Sequence, residues 1–179
     1  VKNKINEDLS PARNLTGFHL KVVAGIAIIW SLFQLWYASP FPFMFNFGMF
    51  KGLPARAIHL GFALTLAFLI YPTSKGRKIS VFDIIISFVA AFSCFYIYFF
   101  YDQLVDRGGV LLNVVIGDSF KLPIELIIGS LGILILLEAT RRAIGLPLVI
   151  IATCFLLFSY FGRYAPEIIS HGGLKTLQK

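Results

Sequence analysis

The chain has 179 residues, of which 58% are hydrophobic, 16% aromatic and only 14% charged; that is about half the charge of an ordinary soluble domain. The apolar residues come in runs, which excludes a soluble globular domain and indicates a membrane protein. The net charge of +7 does not indicate nucleic acid, because the basic residues sit in short clusters between apolar runs and form no stripe of their own.

A hydrocarbon layer about 30 Å thick needs roughly 17 to 25 helical residues. After an N-terminal segment, 1–21, the first candidate span runs from Val22 to Ala38 (VVAGIAIIWSLFQLWYA). The next stretch, 41–50, reads FPFMFNFGMF. Its alternating Phe41, Phe43, Phe45 and Phe47 would suggest a half-buried strand in a soluble protein. A lone strand in lipid leaves its amides unpaired, at several kcal/mol each, and Pro40, Pro42 and Gly48 disfavour a long helix. The expected form is a bent segment near the membrane plane. Its rings would enter lipid or a neighbouring subunit, each contributing on the order of 1.5 to 3 kcal/mol if fully removed from water.

The second candidate span, Ala57 to Tyr71, is short but can be extended through Pro54 and Pro72. The third, Ile84 to Tyr101, carries no charge, whereas segment 110–116 (VLLNVVI) is too short to cross and is expected to lie against the outer surface. A fourth span, from about Leu122 to Leu137 with Glu125 in its first turn, and a fifth, from Ala143 to Phe161, complete the pattern. The expected fold class is all-α: a polytopic integral membrane protein of about five transmembrane helices plus an interfacial segment.

Lys and Arg are retained on the cytoplasmic side. With the N-terminus inside, the inner segments hold nine of them (Lys2, Lys4, Arg13, Lys21, Lys75, Arg77, Lys78, Arg141, Arg142) and the outer loops four (Lys51, Arg56, Arg107, Lys121). The chain is therefore expected to start in the cytoplasm and to end on the far side. Most of the Trp and Tyr residues lie toward the outer ends of their spans, as an interfacial belt would.

Ionisable groups in the middle of a span mark relays and ion pathways, and none is expected here. Asp83 and Glu138 fall near inner ends and Glu125 near an outer end, all expected within reach of water; Glu138 precedes Arg142 by four residues, a favourable helical pair. His19, His59 and His171 are dispersed without metal-ligand spacing, and no phosphate loop or nucleophile elbow occurs. Cys94 and Cys154 both lie inside apolar runs, which fits neither a disulfide framework nor a metal site. No catalytic residue, cofactor site or metal site is expected in this chain. The spans do contain small residues at helical spacing: Gly61/Thr65, Ala63/Ala67, Ser87/Ala91, Ala90/Cys94 and Gly129/Gly132. Such pairs let helices approach closely in lipid. Gln34 is expected to be buried and bonded to a backbone carbonyl.

The stretches RNLTGFHLKVVAGIAIIWSLFQLWYASPFPF (13–43), ARAIHLGFALTLAFLIYPTSK (55–75), FFYDQLV (99–105) and LLEATRRAIGLPLVIIA (136–152) resemble the N-terminal part of fused permeases of tripartite ATP-independent periplasmic (TRAP) transporters of the TAXI type. The EATRRA-x-GLPL run is the most specific part. Such a permease continues into a large domain of about a dozen spans, so the chain is expected to be a piece of a longer polypeptide. The resemblance implies a cytoplasmic segment (1–21), a four-helix scaffold domain (22–140) and a connecting fifth helix with a periplasmic tail (141–179). It places the chain in a bacterial inner membrane. It further implies as partners a large M-type transport domain, in which Na⁺ coupling would reside, and a periplasmic substrate-binding protein that delivers an organic acid such as a dicarboxylate. Lys51, Arg56, Asp102, Asp106 and Arg107 flank the outer ends of the first three spans and are the candidates for docking that protein, since rim charges tune encounter and specificity. Phe41, Phe43, Phe45 and Phe47 are the candidates for anchoring the scaffold at the interface.

Overall fold

A computed structural model describes residues 12–13, 15–72, 79–107, 113–116 and 120–162. Among these residues six helices carry the fold: α1 (Phe18–Ala38), α2 (Phe41–Phe45), α3 (Gly52–Ile70), α4 (Val81–Asp106), α5 (Ile124–Ala143) and α6 (Leu146–Phe161). Between α4 and α5 lies an antiparallel hairpin of β1 (Asn113–Ile116) and β2 (Phe120–Pro123), with Asn113 opposite Pro123 and Ile116 opposite Phe120. The all-α expectation is thus modified by one small hairpin, and part of the apolar stretch 110–116 is a paired strand. Pairing supplies those amides with partners that a lone apolar strand would lack.

Among the described residues three helices, α1, α3 and α4, are long and apolar enough to cross a membrane. The fourth, α5, has 20 residues but carries Glu125, Glu138, Arg141 and Arg142 near its ends, and α6 has 16 residues. The helices extend past the apolar runs because their ends are built for it. Ser80 caps α4 by accepting a hydrogen bond from the Phe82 amide at 3.3 Å, and Asp83 follows in the first turn, where the helix dipole favours negative charge. Pro54 falls in the first turn of α3, where its missing N–H is no loss, so that helix starts at Gly52 rather than Ala57.

Helices α3 and α4 share the largest interface, with α5 packed across both. Its core is Leu64, Phe68, Ala90, Cys94, Ile135 and Ala139. Small residues make the closeness possible: a methyl group on Gly61 would stand 3.3 Å from the Cys94 Cβ, and the Ser87 hydroxyl donates across the interface to the Thr65 carbonyl at 3.3 Å. Helix α1 lies on α3 through Val23, Leu66 and Leu69 and otherwise leaves its apolar side chains exposed. Helix α6 packs on α5 and has no buried residue.

The α5–α6 break is written in the run IGLPL. The amides of Ile144 and Gly145 both donate to the Thr140 carbonyl, Gly145 turns with φ of 114°, and Pro147 enters the first turn of α6. A positive φ of that kind favours glycine, and proline is tolerated there.

Candidate functional site

Antiparallel packing gathers charge at both ends of the bundle. At the end where α1 finishes and α3 starts, Lys51 donates to Asp102 across the α3–α4 gap, and its ammonium lies 5.5 Å from the Tyr101 ring centroid. The pair is exposed. The hydrogen bond from Lys51 to Asp102 holds the ammonium above its ordinary value of 10.5, with the charges of Asp102, Tyr101 and Asp106 adding to it. A depression of about 400 Å³ lies beside the pair, bounded by Phe50, Pro54, Tyr98 and Phe99. Arg56 and Asp106 are exposed on the same end.

Arg107 departs from this group. Its Nη2 donates to Glu125 Oε1 at 2.6 Å and its Nε to the Gln103 carbonyl at 2.9 Å, so it ties the end of α4 to the start of α5. Glu125 is buried, with the Tyr96 hydroxyl 3.5 Å away, which corrects its expected place in water.

The aromatic stretch resolves differently from its alternation. Phe41 and Phe45 are four residues apart on α2, and both lie against Trp36, with ring centroids at 6.3 Å. Asn46 then adopts a left-handed conformation (φ 51°), and Phe47 meets Trp36 edge-on, with ring centroids 6.4 Å apart. Gly48 has φ of 65°, and a Cβ there would stand 2.8 Å from Trp36 Nε1. Three of the four rings therefore pack against one indole, all four stay exposed, and Phe43 has no ring contact among the described residues.

The opposite end holds a cluster that spacing did not reveal. Asp83 is 1% exposed and receives Arg13 Nη2 on Oδ2 at 2.7 Å and Arg142 Nη1 on Oδ1 at 2.8 Å. Arg142 also donates from Nε to Glu138 at 2.7 Å, as expected for a helical pair, and lies over the buried Phe68 ring at 4.9 Å. Arg13 gives its backbone N–H to the Ile70 carbonyl at 2.8 Å and its Nη1 to the Leu69 carbonyl at 3.2 Å, satisfying acceptors that the end of α3 leaves open. One carboxylate thus clasps the segment before α1, the start of α4 and the end of α5. Asp83, expected within reach of water, is closed off from it.

His59 lies two residues from the middle of α3, on an exposed face, which corrects the expectation of no ionisable group at mid-span. Its Nδ1 accepts from the Trp30 indole at 3.3 Å and lies 2.8 Å from the Gln34 amide nitrogen. The indole only donates, so Nδ1 carries the lone pair. Gln34 is therefore bonded to a histidine and not to a backbone carbonyl.

Among the described residues no group of three His, Cys, Asp or Glu side chains is placed to hold a metal ion, and both cysteines are free thiols. What both ends offer is recognition and bracing by charge. No protein family, no curated protein and no solved structure matches the chain.

Proposed function

We propose that the chain is the small scaffold domain of a TAXI-type TRAP permease, crossing a bacterial inner membrane with five helices and its N-terminus in the cytoplasm. In that role it stays fixed while a large M-type domain binds an organic acid with Na⁺ and slides past it. The observation that supports this role is the Asp83 clasp. Arg142 and Glu138 belong to the EATRRA-x-GLPL run, and Arg13 opens the first stretch that resembles the family; these residues brace three helices at one end. A fixed scaffold needs such bracing, because lipid gives helices little hydrophobic drive to stay together. The Lys51–Asp102 end, with Arg56 and Asp106 beside it, would face the periplasm and meet the binding protein.

A free-standing assembly or signalling subunit of the membrane, without a transport role, would have much the same bundle. The two readings part at the reading frame beyond codon 179. A continuation of about a dozen further apolar spans, or a separately encoded partner of that kind co-purifying with the chain, is the expected result. A stop codon together with a chain that purifies without any such partner would overturn the scaffold role.

A further inference from the structure

Helices α1 and α3 pack side by side, and the face they share carries Trp30, Gln34 and His59. His59 is exposed, and Trp30 and Gln34 are half-buried. His59 stands about two turns, or roughly 10 Å, inside the start of α3, one turn deeper than Arg56. In a bundle that spans a membrane the cluster therefore lies below the headgroups, where an unpaired polar group costs several kcal/mol.

The hydrogen bonds inside the cluster decide what it has left over. The Trp30 indole donates to His59 Nδ1 at 3.3 Å, so that nitrogen is bare and the ring proton sits on Nε2. Gln34 turns its amide nitrogen to the same Nδ1 at 2.8 Å, which leaves its Oε1 facing elsewhere as an acceptor. Neither His59 Nε2 nor Gln34 Oε1 has a partner among the described residues. One spare donor and one spare acceptor thus share an exposed face within the span. A lipid ester carbonyl meets the donor and offers nothing to Oε1, an ionised carboxylate does the same, and an apolar helix meets neither. A side-chain carboxamide carries both an N–H and a C=O. At this depth it must arrive on a helix, because only a helix brings its own backbone already paired. One turn further in, Ala27 and Ala63 are small, which lets a second backbone come close.

We propose that this face docks a membrane-spanning helix of another domain or subunit that carries Asn or Gln at the depth of His59. Its carbonyl accepts from His59 Nε2, and its amide donates to Gln34 Oε1. The contact needs the bundle to span a membrane and does not need it to belong to a transporter.

The test is energy transfer in phosphatidylcholine vesicles between the full, donor-labelled chain at low density and an acceptor-labelled polyleucine helix flanked by Lys. One probe helix has Asn about two turns from an end, and the other is Leu throughout. The Asn probe should reach half-saturation at roughly tenfold lower mole fraction than the Leu probe. His59→Phe and Gln34→Leu should each bring it most of the way to the Leu value. Equal transfer to both probes would mean that water or lipid covers the cluster and would overturn the proposal. So would an Asn preference that survives both variants, or transfer between two copies of the chain that Gln34→Leu abolishes, which would make a second copy the occupant. If circular dichroism shows the variants to be misfolded, a photoreactive residue beside the Asn of the probe decides instead: it should cross-link the wild-type chain within α1 or α3, and cross-links confined to α4, α5 or α6 would place the contact elsewhere.

Discussion

Two carboxylates show how much a charge depends on what surrounds it. Asp83 is enclosed and holds two guanidinium groups, so Asp83→Asn removes the buried negative charge they share, leaving Arg142 with Glu138 and Arg13 with the Leu69 carbonyl; removing one partner of a buried pair costs about 3 to 5 kcal/mol. Unfolding in detergent should therefore come much earlier for Asp83→Asn than for Asp102→Asn, whose partner Lys51 is exposed. Equal midpoints for the two variants would show that the clasp does not brace the bundle. Glu138 lies just past the apolar run that ends at Leu137, and the hydrogen bond from Arg141, helped by Arg142 and opposed by partial burial, holds its carboxyl down to about 2 from an ordinary 4.5. Because the folded value is the lower one, its contribution is full above pH 4.5 and fades as pH falls toward 2. The difference in thermal midpoint between the wild type and Glu138→Gln should be constant from pH 7 to 5 and shrink below that. A difference that grows on acidification would contradict the pairing.

At the scale of helices, the contact between α3 and α4 is set by what is missing from Gly61. A side chain there must push against the Cys94 Cβ at 3.3 Å, which belongs to a packed core and has little room to yield. Gly61→Val should destabilise the bundle by about 1 to 3 kcal/mol through overpacking. Gly129→Ala, in open space, should not; equal effects in a denaturant titration would refute a tight α3–α4 seam. The residues of this seam were legible in the sequence, since Gly61, Thr65, Ser87, Ala90 and Cys94 stand at helical spacing; that they face each other and not a partner was not. The packing of rings on Trp36 was only half legible. Alternation in FPFMFNFGMF said that the rings matter, but Trp36 lies outside the stretch, and the left-handed turn at Asn46 that brings Phe47 to it leaves no periodic trace. The clasp was not legible at all, because Arg13, Asp83 and Arg142 are 70 and 59 residues apart and become neighbours only when antiparallel helices bring their ends together.

Among the described residues the charges are sorted to the two ends, and between them the apolar helices carry a polar cluster, Trp30, Gln34 and His59, on the outer face of α1 and α3. Secondary transporters form their sites at the midplane, between repeats, from interrupted helices whose exposed backbone holds the substrate and ions. Here α1, α3 and α4 run unbroken, and the cluster lies on an exposed face. A histidine bonded to an indole and an amide on such a face suits contact with another helix better than passage of a solute. Proteoliposomes containing residues 1–179 alone should therefore take up no glutamate or 2-oxoglutarate above empty vesicles, with or without a sodium gradient. The same vesicles supplied with the large domain and the binding protein should do so. In that assembly His59→Ala should weaken association with the large domain, read by cross-linking at low protein-to-lipid ratio, while the chain alone keeps its helical content. Sodium-driven uptake by the isolated chain would place a transport path inside this bundle and end the scaffold proposal.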